Sequence, residues 1–177
     1  MAWIAVIGLA GCDKLFSLEH LDEPPECPAN YAPLAATRSV YRYVDETRLW
    51  DEAATDCNND NPGTTHLVVL DDAAELVAVR TLVTAAPPYN VHVGYARDTV
   101  AAGGDPKVFY AVTGETLDLD APTWDLWRQG EPDNYMGIET IVFIEDDQDM
   151  TDGEPARMQR YVCECDGRPA TRTFTLR

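Results

Sequence analysis

Four cysteines limit what this chain can fold into more tightly than any other feature: Cys27, Cys57, Cys163 and Cys165. A fifth, Cys12, closes an apolar leader and is read with it below. In an oxidising, exported setting four cysteines usually form two disulfides, and sequence alone permits three pairings. Cys163-Glu164-Cys165 is not read as a redox or metal centre. It lacks the two-residue spacer of a thioredoxin-like motif, and no companion Cys or His pair follows it.

The leader supports export. Residues 2–11 are uncharged and mostly apolar. That run is about half the roughly 20 residues that span a bilayer, and it suits the apolar region of a signal peptide. Leu9-Ala10-Gly11-Cys12 resembles the lipobox of bacterial lipoproteins, although no Lys or Arg precedes the apolar run. The resemblance implies that Cys12 is lipidated and starts the mature protein. Residues 12–26 then read as a tether, stiffened by Pro24-Pro25. The expected organisation is a signal peptide over 1–11, the lipidated Cys and tether over 12–26, one domain over 27–166 and a basic tail over 167–177. The expected location is the bacterial cell envelope, with the membrane reached only through the lipid. A formal net charge of −18 opposes contact with nucleic acid and with anionic headgroups.

Hydrophobic patterning divides the domain. Tyr31 to Val44 alternates loosely and reads as a strand or two, and Asp45 or Thr47 is the expected N-cap of the next element. Trp50, Ala53, Ala54 and Cys57 share one face of a helix. His66 to Leu70 is a short buried strand. Asp71-Asp72 caps a second helix reaching about Thr84, with Leu76, Val79, Leu82 and Val83 inward. Strands follow at Val91–Tyr95, Val108–Val112, Ile141–Ile144 and Arg160–Glu164, with a turn at Gly103-Gly104-Asp105-Pro106. Residues 113–140 have little periodicity, and a loop this long inside one domain is functional or disordered. Trp124 and Trp127 argue for order. Helices early and strands late make an α+β fold.

Four carboxylates stand out in and after that long segment. Glu131-Pro132-Asp133 is followed by Glu139, eight residues after Glu131, and by Asp152, thirteen after Glu139. Like charges repel, so four acids that converge need a cation. Calcium is the usual one, since it takes six to eight oxygen ligands.

From Cys27 to about Cys165 the ordered set of signatures resembles the C-type lectin-like domain. Trp50, Ala53 and Cys57 match its first helix, and His66-Leu67 with Glu75 its next strand and second helix. Val93-Gly94-Tyr95 matches a core strand, and Phe109 to Gly114 the following strand and turn. Trp127 with Gly130-Glu131-Pro132 matches the long loop, and Tyr161 to Glu164 the terminal strand. The resemblance implies two helices flanking a small antiparallel sheet with a long ordered loop. It pairs Cys57 with Cys163 and leaves Cys27 for Cys165. The family's loop disulfide has no counterpart, as Ile141 and about Pro155 occupy its positions.

The resemblance also implies a calcium site. Calcium-binding members of the family carry a Glu-Pro-Asn triplet, a Glu eight residues on, and an Asn-Asp pair further on. This chain has Glu131-Pro132-Asp133, Glu139, Thr151 and Asp152 at those positions. The implied metal ligands are Glu131, Asp133, Glu139 and Asp152, with Thr151 a weak fifth. The same four acids are the implied carbohydrate-binding residues, because sugar hydroxyls complete the ion's coordination. Asp133 replaces an amide by a pure acceptor and Thr151 loses an amide oxygen, so no sugar type is assigned. Met150 stands where the family has a core Trp.

Catalytic readings are weak. Glu131 and Glu139 can be imagined as a glycosidase pair, but nothing else in the sequence supports it, since the domain is small and no sugar cleft is evident from the residues. His20 lies in the tether, while His66 and His92 read as structural. No nucleophile triad, phosphate loop or zinc spacing is present. The expected function is calcium-dependent glycan binding by an envelope lipoprotein. The alternative is a calcium-independent protein-interaction module on the same fold, binding a surface protein.

Overall fold

The last strand of the chain is the one around which the others gather. In the computed structural model, residues 26–83, 90–97, 108–117, 126–145 and 149–176 are described. The readings that concern the leader, Cys12, His20, the turn at 103–106 and Trp124 fall outside them. The described strands are β1 (Ala32–Pro33), β2 (Val40–Arg48), β3 (Thr65–Leu67), β4 (Val91–Ala96), β5 (Phe109–Ala111), β6 (Thr116–Leu117), β7 (Ile141–Ile144), β8 (Met150–Gly153) and β9 (Gln159–Cys165). Helix α1 spans Trp50–Asp60 and helix α2 spans Ala73–Val83. This is the expected α+β class.

Strand β9 runs antiparallel to both β2 and β3 and parallel to β4. The sheet is therefore mixed, where a small antiparallel one was expected, with the β4–β9 pair as its parallel part. Register sets Glu164 between Tyr41 and His66, and Cys163 between Arg42 and Leu67. On the far side β4 pairs with β5 and with β7, and β7 with β8.

Two disulfides lock this strand to the rest. Cys57 of α1 is bonded to Cys163 and Cys27 to Cys165, across 106 and 138 residues. Closures of that length typically contribute about 2–5 kcal/mol.

Helix α1 buries Trp50, Ala53 and Cys57, as its spacing requires, and the Trp50 indole N–H donates to the Val93 carbonyl at 2.8 Å. Its N-cap differs from expectation. Asp45 and Thr47 lie inside β2, because pairing with β9 continues to Arg48 and leaves no turn before it. Leu49 takes the cap position in an extended conformation, and its backbone N–H donates to the Glu52 carboxylate at 3.2 Å. Asp72 does cap α2, accepting from the Glu75 N–H at 2.8 Å. Leu76, Val79 and Val83 are buried and Leu82 partly so.

The C-terminal segment is packed on the domain, although no role was read for it from sequence. The backbone N–H groups of Thr171 and Arg172 donate to the Val112 carbonyl. Phe174 meets Trp50 edge-on at 5.2 Å, and Arg172 covers the Tyr110 ring at 3.7 Å. Arg168 makes two hydrogen bonds of 3.0 Å to the Asp71 carboxylate.

Gly94 shows how closely these strands approach. Its N–H donates to the Val68 carbonyl at 2.6 Å, and a Cβ there would sit 2.3 Å from the Leu67 carbonyl oxygen. Gly94→Ala is expected to cost about 1–3 kcal/mol, as overpacked cores do, read as a lower denaturant midpoint with an unchanged slope.

Candidate functional site

The long loop is held by backbone, and its acids follow from that. Arg128 N–H donates to the Met150 carbonyl, and Met150 N–H to that of Leu126. These bonds lay the segment around Trp127 along β8, and Trp127 packs on Phe109 with centroids 5.4 Å apart. Gly130 then turns the chain with φ +98°, a conformation that favours glycine. The Glu131-Pro132 peptide is cis. Strand β8 was not read from sequence, since Met150-Thr151-Asp152-Gly153 has no apolar run. All four residues are nonetheless buried by pairing with β7.

The structure brings the acids together. One carboxylate oxygen from each of Glu131, Asp133 and Asp152 lies within 4.8 Å of the others. Glu139 stands beside them, lining the same open cleft of about 240 Å³. Asp152 is buried, Glu131 and Glu139 are half-buried, and Asp133 is exposed. Calcium–oxygen bonds of 2.3–2.6 Å place ligand oxygens within roughly 5 Å of one another, so the trio fits such an ion. Thr151 is buried in β8 and its hydroxyl donates to the Asp152 carbonyl at 3.3 Å.

Three consecutive backbone amides organise the acids. Asp133 N–H donates to Glu131 at 3.2 Å and to Asp152 Oδ1 at 3.1 Å. Asn134 N–H donates to Asp152 Oδ2 at 3.0 Å. Tyr135 N–H donates to Asp133 at 2.9 Å and to Glu139 at 2.7 Å. Asn134 and Met136 adopt positive φ to aim these groups. Beyond them Tyr135 and Met136 are exposed, forming an apolar rim beside the charged cleft.

Crowding raises the carboxyl pKa values. Glu131 is pushed up to about 7, by burial first and then by Asp152 and Asp133. Glu139 rises to about 7 as well, through burial and the charges of Asp152 and Asp133. Acids in that state favour a cation that relieves their repulsion.

One participant had no sequence signal. Arg97 follows β4, is 5% exposed, and its guanidinium meets Asp152 Oδ2 at 3.3 Å. It also covers the Phe109 ring at 4.9 Å. Two backbone bonds bring it there: Arg97 N–H to the Thr140 carbonyl at 2.7 Å, and Thr140 N–H to that of Gly153 at 2.9 Å.

A second group, His66, Glu164 and Asp166, also has ligand-type atoms within 4.8 Å. Both ring nitrogens of His66 face acceptors, however, the Leu67 carbonyl and Asp166, each at 3.0 Å. Both must donate, so the ring is a buried imidazolium with no lone pair for a metal. Burial opposes the charge, yet Asp166 and Glu164 outweigh it and raise the His66 pKa. His92 is also structural. Its Nε2 meets the Arg48 carbonyl at 3.0 Å, and burial lowers its pKa to about 4.

These geometries belong to a known architecture. The C-type lectin CEL-I from Cucumaria echinata superposes with a TM-score of 0.65 at 18% identity, over 78% of this chain and 96% of that one. The fold is that of a C-type lectin-like domain. The mouse scavenger receptor C-type lectin carbohydrate-recognition domain superposes at 0.62, with 17% identity over 79% and 96% of the two chains. A calcium-independent type II antifreeze protein superposes at 0.61, again at 17% identity, over 79% of this chain and 94% of its own. No protein-family model and no curated protein sequence matches the chain. The two disulfides point to an exported protein. Among the described residues no helix is long and apolar enough to cross a membrane.

The buried cluster makes the domain's stability depend on pH. Glu164 is pushed up to about 8, by burial first and then by Glu75. A raised folded-state pKa contributes stability that is fully present below the unfolded value and lost as pH rises through the folded one. For Glu164 the loss runs from about 4.5 to about 8, and His66 adds a loss of the same sign above its ordinary 6.5. Denaturant midpoints are expected to fall as pH is raised from 5 to 8. In Glu164→Gln, which cannot ionise, that fall should be shallower.

Proposed function

We propose that this domain is an exported recognition module whose acidic loop binds calcium and, with it, a glycan. A single observation carries the reading: the carboxylate oxygens of Glu131, Asp133 and Asp152 lie within 4.8 Å of one another. These three, with Glu139, would hold the ion, and Thr151 contributes less because its hydroxyl is directed to the Asp152 carbonyl. The bound ion supplies coordination positions that vicinal hydroxyls of a sugar can fill. Glu131 and Glu139, half-buried at the cleft, accept hydrogen bonds from those hydroxyls. Asp133 accepts as well, where an amide would also donate, so this site leans on acceptors. Solved carbohydrate-recognition domains of the same fold support the glycan reading. The work proposed is binding rather than catalysis. The lipobox-like Cys12 supports display on the bacterial envelope through a lipid anchor, with the membrane reached in no other way.

The second reading is a calcium-independent protein-interaction module. It is favoured by Asp152, whose carboxylate already accepts from two backbone amides and Arg97. A calcium-independent antifreeze protein of the same fold stands beside it as precedent.

Calorimetric titration of calcium into the protein separates the two. Saturable heat with a rise in thermal midpoint at millimolar calcium is expected, together with at least about tenfold weaker binding in Glu131→Gln/Asp152→Asn. Absence of both heat and stabilisation removes the calcium reading. On a glycan array, signal that disappears with chelator supports the first reading, and signal that survives chelation supports the second.

A further inference from the structure

The Arg97–Asp152 pair does something that the acidic cluster cannot do alone. Asp152 is 2% exposed and sits at the junction of the three segments that shape the cleft. A carboxylate buried without a counter-charge is costly, and in an ion-dependent loop the metal supplies that charge. Here a guanidinium is already in place. Among the described residues its setting is fixed by Asp152 at 3.3 Å, by the Phe109 ring at 4.9 Å, and by the backbone bond from Arg97 N–H to Thr140. Asp152 in turn holds the amides of Asp133 and Asn134, and through them the turn that presents Glu131 and Glu139. The charge on Arg97 is thus connected to the shape of the loop by an unbroken series of contacts.

We infer that Arg97 is a built-in counter-cation that keeps the ligand loop formed without calcium and sets a low calcium affinity. This rests on the calcium reading for its second half only. The first half concerns the empty loop and stands or falls without the ion. The physics runs in opposite directions for the two halves. The fixed positive charge stabilises the free loop, and it repels a divalent ion bound to the same carboxylate. Asp152 Oδ2 is shared between the Asn134 amide and Arg97, so an ion must take Oδ1 or displace the guanidinium. The site would respond to calcium as a modulator of an already folded loop, and its affinity would be tuned by the residue at 97.

The test compares the wild-type protein with Arg97→Gln and Arg97→Lys, in chelator and in calcium. Limited proteolysis and the amide resonance of Tyr135 report the loop, and calorimetry reports calcium. The wild-type loop is expected to resist cleavage in chelator. In Arg97→Gln it should be cut at least about tenfold faster in chelator, with protection restored by millimolar calcium. Calcium should bind that variant about tenfold more tightly, a gain that loss of a merely structural residue does not produce. Arg97→Lys keeps the charge and should resemble wild type in both measurements. Equal protection of wild type and Arg97→Gln in chelator overturns the inference, as does weaker calcium binding by Arg97→Gln. If Arg97→Gln does not fold, the chelator comparison of wild type with Arg97→Lys and with Arg97→Gln/Asp152→Asn decides. The double variant has no buried charge left to compensate, so its loop should be as protected as the wild type, and a loop in it cut at least about tenfold faster also overturns the inference. If no variant binds calcium, the calcium reading fails, while cleavage in chelator still decides the loop.

Discussion

The position of β9 is the constraint on which the rest depends. A strand at the edge of a sheet leaves one row of backbone groups unpaired. Here β9 is flanked by β2 and β3 over Cys163 to Cys165 and touches β4 at Arg160 and Tyr161. The two disulfides join it to α1 and to the start of the domain. Because the strand is central, Tyr161 to Cys165 are buried, including one that sequence rules would place outside. Glu164 is fully buried between Tyr41 and His66, and one of its oxygens accepts from the Val69 N–H at 3.0 Å. The adjacent Glu75 accepts from the Tyr41 hydroxyl and from the Asp71 N–H, so the buried acids also tie α2 to the sheet.

The acidic loop depends on the same centre at one remove. Strand β4 lies beside β9, β7 beside β4, and β8 beside β7. That order carries Asp152 to the far side of the sheet and delivers Arg97 and Thr140 to its flank. The loop from Leu126 to Thr140 has one short 3-10 turn and otherwise no regular element, yet it is pinned through Met150, Gly153 and Asp152. Backbone amides and a guanidinium hold it to Asp152.

Much of the fold was legible because it rests on periodicity. Trp50, Ala53 and Cys57 recur at helical spacing and are buried together. Ile141 to Ile144 is a continuous apolar run and forms a strand. Strand β8 was not legible, since a strand buried by its neighbours needs no apolar pattern of its own. The N-cap of α1 was missed because Asp45 and Thr47 have capping chemistry, while sheet pairing carried the chain past them. The acids Glu131, Asp133, Glu139 and Asp152 were legible as a set because their spacing survives in one dimension. Arg97 was not, because nothing in its local sequence marks it as a neighbour of Asp152, 55 residues away.

By itself the sequence determined the helix faces, the apolar strands, the cysteine set and the acidic ligand candidates. Each of these is a property of residue type and local spacing. Only the tertiary structure decided that the sheet is mixed, that the C-terminal segment packs on Trp50, and that His66 is an imidazolium between Leu67 and Asp166. It alone decided that the buried acid of the cleft is paired with Arg97. Burial and charge pairing depend on which distant segments share a site, and that is set by strand order rather than by any local run of residues.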